Sequence, residues 1–310
     1  MSTRLENFDE LFYGEPAEIE NRLTPLVLEA EAQKNDSLQA QILSQLALAQ
    51  AMQKKFELAH KTLNRADALI PEGDLLASAR VILERGRVYH QAGDSATALS
   101  FFQQSYEQAL RGEHTAHTIN AAHMIAIVVS DPKEKIHWNR LALNLAQASS
   151  EPKAQAWIGP LFNNLARSQI DALDFHGALD SYAACQAIAE KRNEALIVRG
   201  AIWGRAVALR KLEEHETARR LQMQLVREYA GVSQSGELPE ALLALARGMV
   251  YAELAELDCL LADQDPQAAV SAREHARLAY KDLHANEWFQ RLEPEELERG
   301  FSLLAEWFEE

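Results

Sequence analysis

The sequence predicts an all-α solenoid of antiparallel helix pairs. Three observations carry that prediction. The 310 residues include only 13 Gly and 9 Pro, while the helix formers Ala, Leu, Glu and Gln abound and strand-favouring runs are scarce. A small residue recurs near the start of a helix at Ala59, Ala98, Ala178 and Ala218, with spacings of 39, 80 and 40 residues. Apolar residues fall three and four apart on either side of each of these points. The longest β-like stretch, Ile125–Val129, is too short and isolated to seed a sheet.

The elements follow in order. Residues 1–35 form an acidic N-terminal segment with a capping helix from Pro16 to Lys34. Residues 36–284 hold six helix pairs in one continuous solenoid. The spacing of 80 is two periods, so a diverged copy is expected between Ala98 and Ala178, where Asp131-Pro132 opens a helix that reaches Ala142. The clearest pair runs from Ala79 to Asp94 and from Ser95 to Leu110. Its first helix buries Ala79, Ile82, Gly86 and Tyr89, and its second buries Ala98, Phe102 and Tyr106. Ala92-Gly93-Asp94 makes the turn, with Asp94 as N-cap. Asp131-Pro132, Glu151-Pro152, Asp265-Pro266 and Glu293-Pro294 place proline at helix starts, where a missing N–H costs nothing. Gly231–Gly236 reads as a loop between helices. Residues 285–310 form an acidic and aromatic cap in which Trp288, Phe289, Phe301, Trp307 and Phe308 cover the open end, or alternatively present a docking surface.

These residues resemble the tetratricopeptide repeat family. Gly86 matches the small residue that lets two helices approach, and Tyr89 the aromatic one turn on. Ala98 and Phe102 match the tight crossing and the gap-filling position of the second helix, and Pro71 the proline that closes a repeat. A second copy has Phe162, Ala166, Ala178 and Tyr182. The resemblance covers residues 36–284. The period of about 40 departs from the family's usual 34, the copy around Ile125–Trp138 keeps few signature residues, and the last pair has an over-long first helix. The resemblance implies a right-handed superhelix whose first helices line an inner groove for a peptide or partner helix.

Carried onto this chain, that inner stripe comprises Gln41, Ser44 and Leu48, then Arg80, Leu83 and Arg87, then His117, Asn120 and Met124, then Asn163, Arg167 and Ile170, and finally Trp203, Val207 and Arg210. It holds no Asp or Glu, so a basic groove in an acidic body is expected. Its ligand-binding candidates are Arg80, Arg87, His117, Asn120, Asn163, Arg167, Trp203 and Arg210. Arginine holds a carboxylate with two parallel bonds, asparagine pairs with a peptide backbone, and Trp203 can bury an apolar side chain.

Charge narrows the function classes. The net charge is −15 and the pI about 5.2, which disfavours nucleic acid. Residues 1–35 carry −5 and residues 285–310 carry −6, read as solvated polar ends. No basic leader and no membrane-length apolar run occurs, so a cytoplasmic chain is expected. Cys185 and Cys259 read as small core residues of a reducing compartment. No phosphate loop, H-E-x-x-H, C-x-x-C or G-x-S-x-G occurs. His114, His117, His123 and His137 cluster, but no cysteine or carboxylate set accompanies them, so neither metal nor cofactor is expected. The expectation is a non-catalytic, bacterial-type scaffold that binds a protein or peptide, with an acidic or C-terminal segment suiting the Arg and Asn lining. The alternative is a regulatory sensor whose superhelix closes on a small peptide or metabolite. Residues 1–35 are too short for the added effector domain that such regulators carry.

Overall fold

A computed structural model describes Leu5, residues 7–262 and residues 265–284. Both the C-terminal aromatic cap and the Glu293-Pro294 helix start lie outside the described residues. Every regular element described is helical. A short 3-10 turn at Phe8–Leu11 precedes α1 (Pro16–Ala32), α2 (Asp36–Met52), α3 (Phe56–Asp67), α4 (Leu75–Gln91), α5 (Ser95–Arg111), α6 (Thr115–Val128), α7 (Pro132–Ala148) and the single turn α8 (Pro152–Gln155). Then come α9 (Ile158–Asp171), α10 (Phe175–Lys191), α11 (Ala195–Lys211), α12 (His215–Ser235), α13 (Glu240–Leu261) and α14 (Pro266–Leu283). The six expected pairs are thus present, together with the N-terminal helix. Two compact units divide the chain, residues 1–161 and residues 162–310.

The long period has a simple origin. Helices α4, α5, α10 and α11 each have 17 residues. Three-residue turns join them, so two helices and two turns fill the observed period. The turns are alike. The middle residue is left-handed at Lys34, Lys54, Gly93, Glu113, Leu173, Asn193 and Glu213. The next amide then reaches back to the carbonyl five residues earlier, as in Asp94 to Tyr89 at 2.9 Å and Glu194 to Ala189 at 2.9 Å. This closure satisfies the orphan carbonyls of a helix end. Side-chain caps start many of the following helices. Asp94 accepts from the Thr97 amide at 3.0 Å and Asp174 from the Gly177 amide at 3.0 Å.

Small residues set the spacing between helices. Ala59, Ala98, Ala142, Ala178 and Ala218 are all fully buried. A side-chain carbon built on Gly86 would lie 2.5 Å from the Phe102 ring, and one on Gly204 would lie 2.3 Å from the Tyr182 ring. The aromatic ring occupies the space that the glycine leaves. In the first unit α2 touches α4, which touches α6, so first helices of successive pairs stand side by side. In the second unit α11 touches α13 likewise.

Ion pairs also follow the repeat. Arg65 meets Glu31 at 3.2 Å, Arg199 meets Glu237 at 3.0 Å, Arg219 meets Asp258 at 2.5 Å and Arg247 meets Asp282 at 2.6 Å. Each joins residues 34 to 39 apart in the chain. Arg65 thereby ties the first pair to the N-terminal helix, Arg219 ties the fifth pair to the sixth, and Arg247 ties the two helices of the last pair together.

Three readings of the sequence change. The segment Gly231–Ser235 is helical, because Val232 continues the buried stripe of Leu225 and Tyr229. Gly236, at φ 68°, ends α12 instead. Cys259 is exposed whereas Cys185 is buried. The N-terminal acids are not merely solvated, since Glu20 accepts from Gln53 at 2.7 Å and from Lys55 at 2.9 Å.

Candidate functional site

Each unit contains its own cleft. In the first, residues of α2, α4, α6 and α8 enclose about 600 Å³. Arg80, Arg87, His117 and Asn120 line it together with Leu48, Leu83, Lys153 and Trp157. In the second, α9, α10, α11 and α13 enclose about 370 Å³. Asn163, Arg167 and Trp203 line that one with Ile170, Asp171, Tyr182, Val207, Gly200 and Met249.

The basic groove expected from the stripe is not what the first cleft presents. Asp9, Glu84, Glu113 and Glu151 stand there against Arg80, Arg87 and Lys153. Arg87 donates to both carboxylate oxygens of Glu84 at 2.9 and 3.2 Å and to the Asn120 side-chain oxygen at 2.8 Å. Arg80 donates to both carboxylate oxygens of Asp9, one of them at 3.0 Å. These acids escaped the stripe because Glu84 stands one position beside the chosen register, directly after Leu83, and Asp9 comes from outside the repeats. Arg210 is not among the residues lining the second cleft. It is buried against Glu253 of α13, with bonds of 2.8 and 2.9 Å.

The second cleft is more apolar. The Trp203 ring N–H donates to the Met249 carbonyl at 3.2 Å, which satisfies its one polar atom and fixes the ring. Tyr182 is buried, and burial pushes its hydroxyl up to about 12. Arg167 is exposed, and no hydrogen bond or ion pair holds it among the described residues. A side-chain carbon built on Gly200 meets nothing within 4 Å. The cleft therefore offers an aromatic and aliphatic wall with the Arg167 guanidinium and the Asp171 carboxylate at its edge. Gly200 and Met249 escaped the sequence reading. Met249 belongs to the next repeat, and a lining glycine carries no side-chain signal.

The histidines of the cluster part company. His114 and His117 line the first cleft, His123 lies against Trp157 with ring centroids 5.3 Å apart, and His137 lies against Trp138. Among the described residues no group of three or more His, Cys, Asp or Glu is placed to hold a metal ion. Burial pushes His117 and His123 down to about 4, assisted by the neighbouring Arg80 and Arg87 guanidinium groups respectively. Unfolded imidazoles titrate near 6.5, so on acidification the unfolded chain takes up protons first. Stability contributed by neutral burial is full above about pH 6.5 and falls as the pH drops toward 4. Between pH 7 and pH 5 each histidine is expected to cost about 2 kcal/mol. Urea unfolding at both pH values checks this, and His123→Gln should remove about half of the combined loss. An unchanged pH dependence in that variant would show that His123 is not the group responsible.

No protein-family profile matches the chain, and no curated protein does. Solved structures do. A signal transduction ATPase with numerous domains carrying a tetratricopeptide repeat sensor, from Pyrococcus horikoshii, superposes with a TM-score of 0.67 at 16% identity. The match covers 86% of this chain and 40% of that one. The apo form of RapI matches with a TM-score of 0.67 at 11% identity, over 98% of this chain and 80% of that one. NprR in complex with its cognate peptide NprX matches at 0.57 and 15% identity, over 99% and 85%.

The fold is that of the tetratricopeptide-repeat proteins. The present chain thus builds tetratricopeptide-like pairs with 17-residue helices, and no helix among the described residues is long and apolar enough to cross a membrane. In this tetratricopeptide-like chain, seven of the eight candidates chosen from the stripe line a cleft.

Proposed function

We propose that this chain is a non-catalytic, cytoplasmic scaffold that holds a segment of a protein or peptide in its clefts. The observation that carries the reading is the second cleft, where a fixed Trp203 ring, buried Tyr182, Val207 and Met249 stand beside the exposed Arg167. An apolar side chain would enter against the rings, and a carboxylate of the same segment would reach Arg167. Asn163 would pair with the segment's backbone. NprR, similar in fold, is seen with a peptide, which agrees with this reading. Buried water-excluding walls with a few polar groups at the edge are what ligand sites usually provide.

Gly200→Leu is the test. The new side chain has free space around it, and removing a glycine from a helix interior favours the fold. Its helicity should therefore match wild type while its side chain fills the cleft. Proteins captured from native lysate by wild type should be lost with Gly200→Leu and weakened with Arg167→Glu. An identical set captured by the filled variant would remove the second cleft from consideration. The clefts, of about 370 and 600 Å³, suit a short ligand, which also favours a sensor that closes on a small peptide. Scattering that shows compaction on addition of a short captured peptide would support the sensor, and an unchanged radius would support the passive scaffold.

A further inference from the structure

The first cleft already holds a segment of this chain. Asp9 and Phe12 line it, although Asp9 lies 71 residues from its partner Arg80. Phe8 is 3% exposed, and the Arg80 guanidinium carbon stands 4.8 Å from its ring centre. A second arginine holds the far end of the segment. Arg22 of α1 donates to the Leu11 carbonyl at 3.2 Å and also to the Tyr13 carbonyl. The segment thus combines a carboxylate held in a two-pronged clamp with an aromatic ring beneath the same guanidinium.

We propose that residues 7–13 act as a tethered ligand of the first cleft, and that an external segment with an aromatic residue directly before an acidic one competes with them for Arg80. Two features favour exchange over a permanent seal. The Arg80 Nε is buried and has no hydrogen-bond partner, so the clamp's donors are not used up by Asp9. The Asp9 side chain is itself 42% exposed, so the pair opens toward the rest of the cleft. A tethered competitor acts at an effective concentration in the millimolar range. It would therefore exclude weak segments and yield to a strong one. The two clefts share no residue, so this inference and the second-cleft reading fail independently.

The probe is a fluorescein-labelled peptide of residues 7–13, titrated into the full chain by polarisation. Asp9→Asn removes the charge-assisted pair with little change of shape. The peptide should bind Asp9→Asn at least about tenfold more tightly than wild type, the scale of one charged hydrogen-bonded pair. Asp9→Asn combined with Arg80→Met should lose that binding. Equal affinity for wild type and Asp9→Asn, or undiminished binding to the double variant, would overturn the proposal. Hydrogen exchange on wild type gives the same answer without a variant. Excess unlabelled peptide should speed exchange of the Glu10 and Phe12 amides, which donate within the turn at 3.0 and 3.2 Å. Unaltered exchange at millimolar peptide would count against the tethered ligand.

Discussion

Replacing Glu253 by alanine should lower the stability of the second unit by about 3 to 5 kcal/mol. Glu253 and Arg210 have side chains 2% and 9% exposed. The carboxylate takes one bond from Nε and one from a terminal nitrogen of the guanidinium. Glu253 belongs to α13 and Arg210 to α11, so the pair fastens two successive repeats. Without the carboxylate, a cation stays buried with its principal partner gone. Nearby Glu256 offsets part of that cost, because it too favours the charged arginine. Urea unfolding followed by circular dichroism measures the effect. The companion variant, Arg210→Met with Glu253→Leu, should be close to wild type, since replacing both partners by apolar groups removes the burial penalty together with the bond. A loss below about 1 kcal/mol in Glu253→Ala would mean that solvent reaches Arg210 and that the pair contributes like a surface one.

Gly86→Val should cost about 3 kcal/mol in the first unit, at the upper end for an overpacked core. A side-chain carbon there falls 2.5 and 2.7 Å from two atoms of the Phe102 ring and 3.2 Å from Cβ of Phe101. Phe102 is fully buried, so the ring has nowhere to turn. Either α4 and α5 separate or Phe102 leaves its rotamer. Shrinking the ring should restore space, and Gly86→Val with Phe102→Leu should recover more than half of the loss. That non-additivity is the signature of direct contact. If the two substitutions simply add, the close approach at Gly86 is not what sets the helix crossing.

The fold was legible in the sequence because its determinants are local. A stripe every three to four residues, a small residue once per period and a turn residue after each helix can all be read without knowing any distant neighbour. The lining of the clefts was legible for the same reason, since Arg80, Arg87, His117 and Asn120 share register on adjacent first helices. The electrostatics were not. Glu84 faces Arg87 from a neighbouring register, Glu253 meets Arg210 from the next repeat, and Asp9 arrives at Arg80 from outside the repeats altogether. A stripe of cations says little about a groove's charge until the next period is laid beside it. The end of α12 was missed because Gly231 resembles a breaker, whereas burial of Val232 decides the matter.

The recurring three-residue turns with a left-handed middle residue make this chain count. A helix advances by about 100° per residue, so one residue added within a 17-residue helix swings everything after it by more than a quarter turn. Ala98 or Ala178 would then face water. Adding a whole period returns each buried alanine, each glycine notch and each arginine to the same azimuth. A whole repeat can therefore be added without disturbing that azimuth, whereas a change inside a helix has to be absorbed elsewhere, as where the 12-residue α3 is followed by a longer turn before α4. Repertoires of related clefts would arise by copying whole periods, with new specificity written afterwards into the few side chains that face the gap.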